Sequence, residues 1–239
     1  MRIAVCYFGY LRVLSEVFAN QYENLFKNYD VDFFCHTWSD NYHNEIQFLK
    51  DNIKPKRLLI EDLKFFEKNS FNSSNRSKQC FERNYEIKKY LDCQSKPYNV
   101  LHMLYSIQKA NSLRKEYSQN HNISYDCSLL IRSDISFNSP INVETLDMNK
   151  INKTWVNRKD KSSEFNDHIA ISSTKNIDIY SDCFLYSSAY YLSDNITFIP
   201  ENILTWHAKE MNLKIDMIDS IHNIVRPSNF TGHWPEIKS

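Results

Sequence analysis

Only two of the 239 residues are glycine, Gly9 and Gly232. A GxGxxG dinucleotide turn or a GxxxxGK[ST] phosphate loop cannot be written with them, which excludes classical dehydrogenases and P-loop kinases at the level of motif. Charge of one sign is missing too. Lys+Arg and Asp+Glu stand at 29 each with no long basic run, so the electrostatic footprint of a nucleic-acid binder is absent. No apolar stretch approaches the roughly 20 residues of a membrane-spanning helix. The start, "MRIAVCYFGYLRVLSEVF", lacks the basic n-region, long h-region and small-residue cleavage site of a signal peptide. The six cysteines (Cys6, Cys35, Cys80, Cys93, Cys127, Cys183) show neither CxxC nor zinc spacing and read as reduced, small hydrophobes. These absences predict a cytoplasmic protein. The Asn-x-Ser/Thr triplets at Asn72, Asn195 and Asn229 are then chance products of an Asn-rich chain.

What is present is enough apolar matter for a core. The hydrophobic fraction is 42% and the aromatic fraction 14%, so the low mean hydropathy of −0.56 reflects abundant Asn, Lys and Ser rather than disorder. The length suits one substantial core. Strand and helix patterns alternate: "RIAVCYF" (2–8) precedes a helical pattern with Leu14, Val17, Phe18, Tyr22, Leu25 and Phe26 on one face. "VDFFCHTW" and "KRLLIE" read as strands two and three, with a polar helix between them. The Ser/Asn-rich stretch 68–79 reads as a mobile loop. Asn99 is a candidate N-cap for the strongest helical pattern, "VLHMLYSIQKANSLRKEY". Strands near 154–157 and at "DHIAISS" and "LKIDMI", with helices over 173–186 and from Pro200, complete the reading. The alternation predicts a doubly wound, Rossmann-like α/β domain.

In "YDCSLLIRSDISF" (125–137) a continuous apolar run meets Arg132 and Asp134. Such a run predicts a strand buried on both faces, with its charges where it leaves the core, and ligands of open α/β sheets bind beyond those carboxyl ends. Gly9 and Arg12 follow the first strand, where a residue without a Cβ permits a tight turn and a guanidinium suits phosphate or carboxylate. The plainer alternative is a turn and a solvated helix start. His36 and Trp38 close the second strand; Trp38 can stack on a base or sugar and His36 can donate to phosphate or ribose, or both are packing. Asp167, before another apolar run, is either a carboxylate for sugar chemistry or a capping side chain. His207 reads as a satisfied core residue, and His233 lies in an exposed-looking tail.

Taken in order, "RIAVCYFGYLR", "VDFFCHTWSD", "YNVLHMLYSIQKANSLRKEY", "YDCSLLIRSDISF" and "NDHIAISSTKNIDIYSD" resemble the motifs of bacterial polysaccharide-biosynthesis glycosyltransferases. The resemblance covers the chain to about residue 186. It implies a GT-A-like, Rossmann-like α/β fold, a mixed and mostly parallel sheet flanked by helices, in one domain over 1–239. A nucleotide-binding half would span about 1–137 and an acceptor-side half 138–239. It further implies a nucleotide-sugar donor, a glycan acceptor of capsule or lipo-oligosaccharide, and peripheral association with the cytoplasmic face of the inner membrane. Gly9, Arg12, His36, Trp38, Arg132 and Asp134 are then donor-site residues. Asp134 would hold a divalent cation, Mn²⁺ or Mg²⁺, joined by His233, and Asp167 would be the catalytic carboxylate. The chain departs from the family's Asp-x-Asp, because Arg132 stands in the first position; Arg132 then faces phosphate or pairs with a carboxylate. A nucleotidyl or phosphate-group transferase and a non-catalytic carbohydrate-binding protein are the other classes compatible with these residues.

Overall fold

Seven residues, Arg2–Phe8, form the first strand, β1, and alternate strictly between two hydrophobic layers. Ile3, Val5 and Tyr7 enter one core cluster, whereas Ala4, Cys6 and Phe8 enter the other. Burial on both faces is what covering helices on each side of a strand produce. The computed structural model describes residues 1–39, 42–64, 66, 97–156, 166–192 and 199–227. After β1 come α1 (Leu14–Gln21, running into a π-helical turn Tyr22–Phe26), β2 (Asp30–Trp38), α2 (His43–Phe48, with a π-helical turn Leu49–Ile53) and β3 (Arg57–Glu61). Helix α3 (Pro97–His121) leads to β4 (Cys127–Arg132), β5 (Ile135–Phe137), β6 (Lys150–Val156) and β7 (Ile169–Ser172). Three helices, α4 (Thr174–Ser181), α5 (Cys183–Leu192) and α6 (Pro200–Glu210), precede β8 (Lys214–Ile224). Helix α3 opens at Pro97, a residue type suited to the first helical position, so Asn99 lies inside the helix rather than capping it. The single helix expected over 173–186 is two, broken at Asp182.

The eight strands form one sheet in the order β3-β2-β1-β4-β7-β6-β8-β5. The α/β class expected from the alternation holds, but the sheet is mixed rather than mostly parallel. Helical crossovers make β3, β2, β1 and β4 mutually parallel, as parallel neighbours require. Beyond β4 the pairings β4–β7, β6–β7 and β5–β8 are antiparallel, and β6–β8 is parallel. The chain passes from β4 to β5 through only Ser133 and Asp134, with no helix to carry it back across the sheet.

Buried Gln21 secures that turn. It accepts from the Tyr7 hydroxyl at 2.6 Å and donates to the Ile135 carbonyl at 2.8 Å, while the Ser133 hydroxyl donates to the Tyr10 carbonyl at 2.9 Å. Cys6, Cys35, Cys127 and Cys183 are free and buried, and burial pushes the Cys6 thiol up to about 12, so it behaves as the inert hydrophobe the sequence suggested. Among the described residues no helix is long and apolar enough to cross a membrane. The stretch 68–79, Cys80, Cys93, His233 and the triplets at Asn72, Asn195 and Asn229 lie outside the described residues.

Candidate functional site

The carboxyl ends of β1, β2 and β4 share one edge of the sheet, and a pocket of about 220 Å³ opens there. Its walls include Gly9, Arg12 and Trp38 from the β1 and β2 ends, Arg132 from β4, Asp167 and His168 from the approach to β7, and Arg226 from beyond β8. The first turns of α3 (Asn99–Met103) and α6 (Pro200–Glu201) open on it as well. Strand ends and helix beginnings thus meet at the place where open α/β sheets take their ligands, and the field at helix N-termini is positive.

Asp134 sits beneath the pocket, 1% exposed, wrapped in three guanidiniums. Arg132 donates through Nε and an Nη to both carboxylate oxygens at 2.8 and 2.6 Å, and Arg12 and Arg226 each donate at 2.7 Å. Burial alone would raise the Asp134 pKa, but the arginines, Arg132 foremost, hold it well below the usual carboxylate range. Backbone register explains the convergence. Val225 N–H donates to the Asp134 carbonyl at 2.8 Å, extending the β5–β8 ladder and bringing Arg226 alongside. The aspartate expected where the strand leaves the core is therefore itself buried, as the anchor of three arginines. Nothing outside the protein is needed to neutralise it.

The β4–β7 ladder continues through Arg132 N–H to the His168 carbonyl at 2.9 Å, which sets Arg132 beside Asp167 with Nη1 3.6 Å from the carboxylate. Asp167 takes a second contact from His168 Nε2 at 3.0 Å. His168 Nδ1 meets His222 Nε2 at 2.7 Å, and His222 Nδ1 meets the Thr154 hydroxyl at 2.7 Å. Burial lowers the pKa of both histidines, that of His222 to about 3, so both are neutral. One proton order then satisfies every atom: Thr154 donates to His222, His222 to His168, and His168 to Asp167. Asp167 is ionised, because His168 foremost and then Arg132 outweigh the cost of its burial. The capping role considered for it belongs to Asn166, whose side-chain oxygen accepts from the His168 N–H at 2.9 Å. Buried Lys153, lowered to about 8 by burial, fixes the same turn by donating to the Asn166 carbonyl at 2.5 Å and to the Tyr180 hydroxyl at 2.8 Å.

On the other side of β1 the residues expected to meet a donor are largely engaged by protein partners. His36 is wholly buried with both ring nitrogens engaged, Nδ1 with the Ser106 hydroxyl at 2.7 Å and Nε2 with Glu61 at 2.8 Å, so it reaches neither phosphate nor ribose. Trp38 belongs to the pocket wall but is 1% exposed, stacked on Tyr105 and packed against Phe66 and His102. Gly9 adopts φ +79°, a backbone handedness that favours glycine, and an added Cβ would meet no protein atom within 4 Å. Its N–H donates to Ser106 at 2.6 Å. His207 is the satisfied core residue expected, engaged with Tyr190 at 2.8 Å and the Ile179 carbonyl at 2.8 Å.

A divalent cation does not fit at Asp134. Both oxygens already accept short guanidinium bonds, and an added double charge would stand against three fixed positive ones. Among the described residues no group of three or more His, Cys, Asp or Glu side chains is arranged to hold a metal. Arg226, His222 and Glu201 were not found as site residues from the sequence. Arg226 had a signal: "NIVRP" repeats the grammar of "LLIRSD", an apolar strand run ending in arginine. His222 had none, because it meets His168 only through the sheet.

No protein-family model matches this chain, and no curated protein matches it. The chemistry of the pocket is therefore read from its own residues.

Proposed function

We propose that the protein is a glycosyltransferase that moves a sugar from a nucleotide-sugar donor to a glycan acceptor of a bacterial surface polysaccharide, on a GT-A-like fold in the cytoplasm. One observation carries the reading: three arginines and the carboxylates of Asp167 and Glu201 meet in a single pocket beyond the carboxyl ends of β1, β2 and β4. A nucleotide sugar has the complementary halves, a diphosphate for guanidiniums and hydroxyls for carboxylates. In the transfer, an acceptor oxygen bonds to the anomeric carbon, the bond from that carbon to the diphosphate breaks, and its electron pair leaves on the nucleoside diphosphate. The acceptor proton is released to a base or to water. Fixed cations aimed at the leaving group stabilise the charge that develops there.

Asp167 divides the alternatives. An ionised carboxylate already engaged with Arg132 and His168 holds a hydroxyl well by a charge-assisted hydrogen bond. We assign it to orienting the transferred sugar. Two measurements test the reading. Across UDP- and GDP-linked sugars, at least one should raise Tm and donate its sugar, since a ligand at one hundred times its Kd stabilises by about 2.7 kcal/mol. Asp167→Asn should weaken that nucleotide sugar about 10–100-fold, a charge-assisted bond's worth, while leaving the free nucleoside diphosphate unaffected. A panel in which no nucleotide sugar shifts Tm refutes the transferase. Unchanged sugar affinity with turnover down on the order of 10²–10⁴-fold would make Asp167 the base instead.

A further inference from the structure

The geometry points to a metal-independent oxyanion site: Arg12, Arg132 and Arg226, ordered by the buried Asp134 carboxylate, take a phosphate-class anion directly. In the proposed reaction that anion is the donor's diphosphate. The inference rests on the transferase reading only for what carries the phosphates.

Three features support it. First, the arrangement has the inverse polarity of a carboxylate–metal site. Asp134 is 1% exposed and lies off the pocket wall, which Arg12, Arg132 and Arg226 line together with Asp167 and Glu201. Second, the three arginines are graded in exposure, with side chains 9% exposed for Arg12, 17% for Arg132 and 35% for Arg226. A common carboxylate fixes them at different depths, so that the cationic surface is assembled before a ligand arrives. Such preorganisation reduces the ordering cost that long, flexible cations otherwise impose on binding. Third, guanidinium forks match phosphate oxygens in bidentate geometry and stay charged at every physiological pH. The opening turns of α3 and α6 at the same pocket reinforce the preference for an anion. Arg132 has a second function: because it also lies 3.6 Å from Asp167, it couples the anion side of the pocket to the sugar side.

The test is calorimetry of inorganic pyrophosphate on the full chain, with EDTA and again with Mn²⁺, beside the Arg226→Gln and Arg226→Lys variants. Arg226 is the most exposed of the three, so its replacement leaves the buried Arg12 and Arg132 bonds to Asp134 in place, and unaltered Tm verifies this. Binding in EDTA, not tightened by Mn²⁺, is expected. Arg226→Gln should weaken it about 10-fold or more, and Arg226→Lys less, because lysine keeps the charge and loses the fork. Pyrophosphate that binds only with Mn²⁺, binds in neither condition, or binds Arg226→Gln as tightly as wild type overturns the inference. Failure of the transferase reading looks different: pyrophosphate binds in EDTA, yet no nucleotide sugar does.

Discussion

Two polar networks stand on either side of β1 and differ in what they leave over. Toward β2 and β3, Ser106, His36, Glu61 and Tyr105 engage one another, and His36 is kept neutral by burial. Toward β4 and β7, one aspartate gathers three arginines, and a chain of neutral histidines ends on a second, ionised carboxylate. Both lie at the carboxyl edge of the sheet. The first resolves into mutual satisfaction and supports the Gly9 turn; the second accumulates charge and presents it to the pocket. A polar residue at a strand end thus has an address but not yet a use. The use depends on whether its neighbours leave its charge facing a pocket.

The sharpest way to break this contrast is Asp134→Asn. With its charge removed, three guanidiniums face one another in a largely dry site, and uncoupling one partner of a buried ionic group typically costs about 3–5 kcal/mol. Urea denaturation should register that loss, together with weakened pyrophosphate binding. A Tm like that of the wild type would mean that water enters the cluster and that Asp134 is not its anchor.

Ser106→Ala probes the other side. It leaves the Gly9 N–H and His36 Nδ1 without their buried partner, at a cost of about 1–3 kcal/mol. Pyrophosphate affinity should stay within about twofold of wild type, since a tenfold change needs 1.4 kcal/mol at the site itself. A larger fall in affinity would join the two networks into one.

A further test concerns acid. His222 has a folded pKa of about 3 against about 6.5 when unfolded, so below pH 6.5 the unfolded chain takes up the proton and the folded chain does not. The stability contributed is complete above pH 6.5 and is lost as pH falls toward 3. His222→Gln should flatten the decline between pH 6.5 and 4 by up to about 1.4 kcal/mol per pH unit, read from urea midpoints at a series of pH values. An acid limb of unaltered slope would show that His222 accepts its proton in the folded state.

The parts of this molecule legible in the sequence are those determined by local pattern. β1, β2, β4 and α3 follow from apolar runs and helical spacing, and Arg12, Arg132, Asp134 and Asp167 follow from the rule that chemistry gathers where such strands end. All four reach one site. What stayed hidden was set by pairing across the sheet. Antiparallel β7 brings His168 to Arg132, and β8 brings Arg226 to Asp134 and His222 to His168. No periodicity within a segment encodes those meetings. The same limit explains His36 and Trp38: their strand-end position was readable, whereas the ring of Ser106, Glu61, Tyr105 and Phe66 that encloses them comes from other segments.

The arginine cluster also places a clock on synthesis. Its members come from widely separated parts of the chain, with Arg12 122 residues from Asp134, and Arg226 92 residues beyond it. While a ribosome is still making the chain, β1 to β4 can pair along their parallel edges, but Asp134 has only Arg12 and Arg132 for company. The third cation arrives when β8 docks, after residue 226 has emerged. Contacts so distant in sequence form late, because a long loop must close before they are rewarded. A nascent or truncated chain ending before Arg226 would carry most of the sheet and still lack a finished pocket.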